Sequence, residues 1–336
     1  MARIGNVAKP RFSICIFSFS LALVLTGCGG GGGGIVSTPT PPATPTPSPT
    51  PSPTPTPTPT PSAVVQPFPS SNPPTAYSTV NVSVNANVTT APSPNGAQRV
   101  TGITSLTSVG TPSFGNFEYR GPDNYAVEFG GFGGPVFDPD EKVASSEAYE
   151  LFYDFAWEPY FANLELARRD RGIQFTYLTF GSVMAGIDRP DHGEITFFVA
   201  GSQTPDSQMP RSGSATYTGI ADGLWIDGST VRRLYGSSAT LTADFGSGQV
   251  TSTLNLAGRS DPFGAFTAGQ LTTLGVFNGT GAISGRTFDG SYAPTAGYSG
   301  PFTGTFFGPA AEEYGLSFRL NGGVDQSVIG VAAGKK

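Results

Sequence analysis

The feature that most constrains this chain is strict alternation in its second half. From Ser238 to Phe245 the apolar residues fall on odd positions and the polar ones on even positions. After Gly246-Ser247-Gly248 the pattern resumes over Val250–Leu256, with Thr251, Thr253 and Asn255 as its polar face. A period of two sends successive side chains to opposite faces of a strand, and a tight Gly turn between two such runs predicts a β-hairpin. Similar runs occur at 175–183, 194–200, 215–220, 275–284, 301–307, 314–320 and 327–334. Short strands at regular spacing, with no helices between them, predict a barrel or a sandwich. The outward positions Thr240, Thr242, Thr251, Thr253 and Arg319 are polar. A membrane barrel would show apolar residues and aromatic girdles on that side, so the prediction is a water-soluble barrel with a filled interior.

The preceding stretch, 77–173, is less regular. Val80, Val82 and Val84 alternate with polar partners, and 117–129 holds another plausible strand. Over 147–161 two readings stay open. Glu150, Asp154 and Glu158 recur at i, i+4, as do Tyr149, Tyr153 and Trp157, which suits a helix face; alternation suits a strand equally. The expectation is a smaller β-rich module with room for one short helix.

The N-terminus reads as an address. Arg3, Lys9 and Arg11 precede an apolar run from Phe12 to Leu25, too short to span a bilayer comfortably. The run ends in Leu25-Thr26-Gly27-Cys28, which resembles a bacterial lipobox. That resemblance implies cleavage before Cys28, acylation of Cys28, and, with Gly29 next to it, an outer-membrane destination. Cys15 would leave with the leader, so the mature protein would have neither a free thiol nor a disulfide. Between Cys28 and Gln98 there is no Lys, Arg, Asp or Glu, and twelve prolines lie between Pro39 and Pro61. Proline fixes φ and removes N–H donors, so Thr38–Ser62 is expected as an extended spacer of about 75 Å at ~3.1 Å per residue. The expected organisation is therefore a leader over 1–27, a lipidated and flexible Pro/Thr-rich linker over 28–76, a β-rich module over 77–173 and a barrel over 174–336.

A family resemblance follows from the C-terminal motifs. Phe302-Thr303-Gly304-Thr305-Phe306-Phe307-Gly308-Pro309-Ala310-Ala311-Glu312-Glu313-Tyr314-Gly315 resembles the signature of transferrin-binding protein B and its relatives, with Gly308, Pro309, Ala311, Glu312 and Gly315 at its marked positions. The stretch 330–336, Gly-rich and Lys-terminated, is similar to that family's last barrel strand; 175–181 is similar to its first. Asp222-Gly223 fits as well. The resemblance implies a mainly β lobe: a small β-rich handle followed by a soluble eight-stranded antiparallel barrel on a surface lipoprotein. The family has two lobes, this chain has room for one, and the family's binding loops have no counterpart here. The architecture and the setting carry over, and transferrin as the ligand does not.

Chemistry is thinly represented. The formal charge is −6, and losing Arg3, Lys9 and Arg11 makes the mature chain more acidic still, which excludes a nucleic-acid backbone binder. His192 is the single histidine, so no Cys/His metal site is expected, and no cofactor. No Gly-x-Ser-x-Gly elbow accompanies it, so no hydrolase triad is expected. Glu312 and Glu313 are adjacent, and the reading preferred over a glycosidase pair is that they accept N–H groups left open by their turn. Trp157, Tyr160 and Phe161 form an aromatic cluster suited either to a protein interface or to packing between the two modules. His192, in a polar turn, is the other binding candidate. The expected function is non-catalytic capture of a protein or solute outside the cell, in iron or haem acquisition. The expected partners are the membrane, through the lipid, and an outer-membrane transporter or export factor. The rivals are an adhesive lipoprotein without a small ligand and a lipocalin-like barrel holding an apolar molecule.

Overall fold

The computed structural model describes residues 65–92, 97–128, 134–143, 150–157, 160–167, 173–188, 191–260 and 271–336. The leader, Cys28 and the Pro/Thr-rich stretch lie outside them. Nineteen strands make two antiparallel sheets among the described residues. The first sheet contains β1 (Thr75–Pro92), β2 (Gln98–Val109), β3 (Ser113–Gly121), β4 (Asn124–Glu128), β5 (Val136–Phe137), β6 (Lys142–Val143), β7 (Glu150–Trp157), β8 (Tyr160–Ala167), β9 (Leu178–Asp188) and β10 (Asp191–Gly201). Its order is β5-β4-β3-β1-β10-β9-β8-β7-β6, with β2 paired to the far half of β1. The second contains β11 (Ser214–Asp227), β12 (Thr230–Arg233), β13 (Ser237–Asp244), β14 (Gln249–Arg259), β15 (Leu271–Ser284), β16 (Thr287–Thr295), β17 (Tyr298–Phe307), β18 (Glu313–Gly323) and β19 (Gln326–Lys335).

The second sheet is a closed barrel. Strands β11, β13, β14, β15, β16, β17, β18 and β19 pair in succession, and β19 returns to β11 over Thr218–Asp227. β12 continues the line of β13: it pairs with the upper part of β11, and a kink at Leu234–Gly236 passes the chain down to β13. Alternation explains the interior. Tyr217, Phe277, Phe288, Tyr292, Phe302, Phe306, Tyr314 and Phe318 all point inward and are fully or almost fully buried. Their rings interlock, with Phe288–Phe306 and Tyr292–Phe302 centroids 5.0 Å apart. Rings this close fill the barrel axis, as inward Leu and Phe in the sequence led one to expect.

The barrel's other notable strand breaks the alternation. Gln326–Lys335 is buried at eight consecutive positions. Val328 and Ala332 face the barrel core, while Ile329, Val331 and Ala333 face the first sheet. A strand covered on both faces reads as a continuous apolar run. The layer it joins sets Val80, Val82, Val84, Ile195, Phe197 and Val199 of the first sheet against Leu224, Ile226 and the outer face of β19.

The opposite face of the first sheet has its own core, built from Tyr77, Phe117, Tyr125, Phe137, Tyr153, Leu164 and Phe198. The sheet rolls until its two edges meet there: Tyr125 of β4 and Tyr153 of β7 lie 5.5 Å apart edge to face. Asp123 fastens the seam, accepting from Tyr153 Oη at 2.7 Å and Lys142 Nζ at 2.8 Å.

Four expectations are revised. The run at 175–183, taken as the first barrel strand, is β9, and the run at 194–200 is β10; both lie inside the first sheet, between β8 and β1. Alternation tells which side of a strand is wet but not which strand is its neighbour. The barrel's missing member is β16, Thr287–Thr295, whose Gly290, Pro294 and polar residues dilute its pattern. No helix forms at 150–157: β7 and β8 are a hairpin, and the described helical turn is the 3₁₀ segment Pro139–Glu141. Finally, the folded part reaches back into the expected linker, since Phe68 is buried against Tyr77 and Phe117 and its N–H bonds the Thr176 carbonyl.

Candidate interaction surface

The strand register brings three of the four expected binding residues into one line. Trp157 pairs with Tyr160 across the β7–β8 hairpin. Tyr160 pairs with Ile187, Ile187 with His192, His192 with Asn87, and Asn87 with Ser105. This single row crosses six strands at one end of the first sheet, with neighbouring strands about 4.8 Å apart. The side chains of Trp157 and Tyr160 lie outside the described atoms; their backbone places them beside each other at the hairpin tip. His192 stands near the start of β10 rather than in the turn, with Nδ1 3.5 Å from Asn87 Oδ1. Beyond it runs an exposed polar ladder. Asn87 Nδ2 donates to Ser105 Oγ at 2.8 Å, Asn85 Nδ2 to Ser108 Oγ at 2.9 Å, and the Thr89 and Thr101 hydroxyls lie 3.3 Å apart.

Phe161 goes elsewhere. It is 2% exposed and packs in the layer between sheet and barrel. A Cβ on Gly186 would sit 2.7 Å from the tip of its ring, so a side chain there would collide with it. One-residue alternation separates Phe161 from Tyr160 in register, which composition alone could not reveal. Asp154, one of the acids beside the cluster, is buried too: Asn163 Nδ2 donates to it at 3.0 Å, while Asn163 Oδ1 accepts from Val100 N–H at 3.1 Å. Asn163 thereby ties the tip of the β1–β2 hairpin to β8.

The motif residues form a clamp rather than a reactive pair. Gly308 has φ +85° and Ala311 φ +55°, which turns the chain sharply between β17 and β18. Glu312 Oε2 accepts the Ala310 N–H at 2.8 Å inside this Pro309-containing turn. Glu313 reaches across to the segment before β9, accepting Thr176 N–H at 2.5 Å and Tyr177 N–H at 2.9 Å. Burial pushes the Glu313 carboxyl up, against those N–H groups and Lys335, which pull it down. Thr204 Oγ1 donates to the Gly308 carbonyl at 2.7 Å, and Lys336 Nζ to that of Ala310 at 2.9 Å. Gly315 lies against Val199 of the first sheet, where a side chain would collide.

The sequence reading missed the charged knot in the layer between sheet and barrel. Arg233 is 4% exposed, donates to both Asp222 oxygens at 2.6 Å and reaches Glu165 Oε2 at 3.1 Å. Its guanidinium carbon lies 5.0 Å from the centre of the Phe197 ring. The available signal was a pair of arginines in a short run otherwise bound for burial, Thr230-Val231-Arg232-Arg233-Leu234.

A rolled sheet backed by a closed eight-stranded barrel, its axis filled by aromatic rings, defines a β lobe. Residues 209–336 match the family model of the C-lobe and N-lobe β-barrels of Tf-binding protein B. The match starts five residues before β11, in agreement with the strand pairing. No curated protein sequence matches the chain. Among solved structures it is similar to the vaccine antigen transferrin-binding protein B of Haemophilus parasuis, with 18% identity over 76% of this chain and 44% of that one, TM-score 0.44. For transferrin-binding protein B of Neisseria meningitidis the identity is 17% over 67% and 52%, TM-score 0.37. For the N-lobe of lactoferrin-binding protein B of Moraxella bovis it is 16% over 76% and 98%, TM-score 0.36. The chain thus spans under half the length of the first of these.

Proposed function

We propose that the protein is a surface lipoprotein, anchored through Cys28 to the outer membrane, whose folded part captures a protein ligand without catalysing a reaction. The observation that carries the reading is the register row. It sets Trp157 and Tyr160 beside His192 and the exposed Asn/Ser ladder, at the end of a sheet stiffened by the barrel behind it. Large aromatics flanked by polar groups are the usual anchors of protein interfaces. The match of the barrel to Tf-binding protein B supports an iron-carrier protein as the class of ligand, with iron or haem acquisition as the purpose of its capture. Phe161 is not part of this surface. The test is capture of candidate host iron carriers by the full chain, compared with Trp157→Ala and Tyr160→Ala. The expected result is binding weakened by about 2 kcal/mol or more with the melting temperature unchanged. A lowered melting temperature with capture intact would return both residues to a packing role.

A further inference from the structure

Strand β12 holds two neighbouring arginines with opposite surroundings. Arg233 faces out of the barrel, and Nε, Nη1 and Nη2 all meet carboxylate oxygens of Asp222 or Glu165. Arg232 faces the other way, into the barrel mouth. It pairs with Trp225 of β11, and its guanidinium carbon lies 4.5 Å from the centre of the indole ring. Gly258 of β14 is on its other side, where a Cβ would stand 2.9 Å from Arg232 Cβ. Arg232 Nε and Nη1 are buried and have no hydrogen-bond partner among the described residues. A guanidinium cannot shed its proton, so a permanent charge sits here on an aromatic ring with no acceptor for Nε or Nη1 among the described residues. The indole cannot supply one, because its N–H is a donor only and is given to Tyr298 Oη at 3.1 Å. Arg232 as a whole keeps partial exposure, being three residues past the Gly228–Ser229 turn at the rim, so a ligand has a route to it.

We propose that this barrel mouth is a binding site for a small organic carboxylate, held by Arg232 against Trp225. The fork of a guanidinium matches a planar carboxylate in two parallel hydrogen bonds, as Arg233 and Asp222 show one residue away. A phosphate would bring more charge and more acceptor oxygens than one cation can satisfy. The floor of the mouth, Trp225, Leu234, Tyr298 and Leu320, is apolar or aromatic and suits the carbon body of an organic acid. The site is separate from the surface at the end of the first sheet and does not rest on the function proposed for it.

The experiment uses the full chain with Trp157→Phe, which leaves Trp225 as the sole tryptophan. Sodium succinate is titrated against Trp225 emission, with succinamide and sodium chloride at matched ionic strength as controls. The expected result is a saturable change with succinate alone, weakened about tenfold or more by Arg232→Met. Melting supplies an independent readout. Succinate raises the melting temperature of the parent and not of Arg232→Met, and without succinate that variant melts no lower than the parent, since it loses an unpaired charge. Arg232→Lys keeps the charge but not the fork, and its expected response is reduced. An equal response in Arg232→Met, or in chloride, overturns the proposal. So does a variant that melts lower yet still answers succinate, because Arg232 would then be a packing residue only.

Discussion

Replacing Arg233 with Met tests how sheet and barrel are joined. The substitution keeps most of the apolar stem over Phe197 and removes the charge that neutralises Asp222 and Glu165, which are 3% and 6% exposed. Taking one partner out of a buried ion pair costs about 3–5 kcal/mol, because the remaining charges stay desolvated. At about 2–4 °C per kcal/mol for a unit of this size, the melting temperature should fall by roughly 6–20 °C. Two further results should accompany the fall. Stranded carboxylates bind protons more readily in the folded state than in the unfolded one, so their cost is largest at high pH and shrinks on acidification. Adding Asp222→Asn and Glu165→Gln should recover most of the loss, since it removes the charges and keeps polar groups for Gly223 N–H and Ser182 Oγ, which bond these carboxylates. Urea titration of the three proteins at pH 8 and pH 5 makes the comparison. A loss in Arg233→Met of less than about 1 kcal/mol, equal at both pH values, would refute the reasoning.

Other expectations concern the turns. Burial, then the nearby Asp138 and Asp140 carboxylates, push the Glu141 carboxyl from 4.5 up to about 7, although the Asp138 N–H pulls it down. A raised carboxyl makes the folded state hold the proton longer, so stability from this group is present at low pH and is lost as pH rises from about 4.5 to about 7. Glu141→Gln should flatten that slope in melting curves recorded across the interval; an unchanged slope would count against it. Gly308→Ala should destabilise by about 1–3 kcal/mol, as φ is +85° and an added Cβ would collide with the Glu312 carboxylate and the Tyr177 ring. Gly213→Ala is the control, with φ +77° and nothing within 4 Å of the added atom; it should cost distinctly less in chemical denaturation.

What could be read from the chain followed from periodicity. Ser238–Phe245 and Val250–Leu256 alternate because one face meets the barrel core and the other meets water, and they became β13 and β14. The polar Thr216, Thr242, Thr251 and Thr280 that line up on the outer wall were legible for the same reason. Strand partnership was not legible, because it depends on register between distant segments: β9 and β10 carry a barrel-like pattern yet pair with β8 and β1. The candidate surface was half visible. Residue type singled out Trp157, Tyr160, Phe161 and His192, but only register could set Tyr160 level with His192 and turn Phe161 toward the barrel. The Arg232 and Arg233 pair stayed hidden because two adjacent arginines look alike until the strand sends one inward and one outward.

The join between β11 and β19 has a consequence for the order of assembly. Thr218 pairs with Lys335, so the seam that makes the ring joins residues more than a hundred positions apart. Each earlier hairpin can form as its own residues emerge, but an open row of strands still shows two unpaired edges and an uncovered apolar face. The outer side of β19 also supplies Ile329, Val331 and Ala333 to the layer under the first sheet, so that sheet lacks a full seat until β19 arrives. Closure and docking are therefore completed by the same strand. The chain stays an open row of strands until β19 is available, and gains its ring and its seat together.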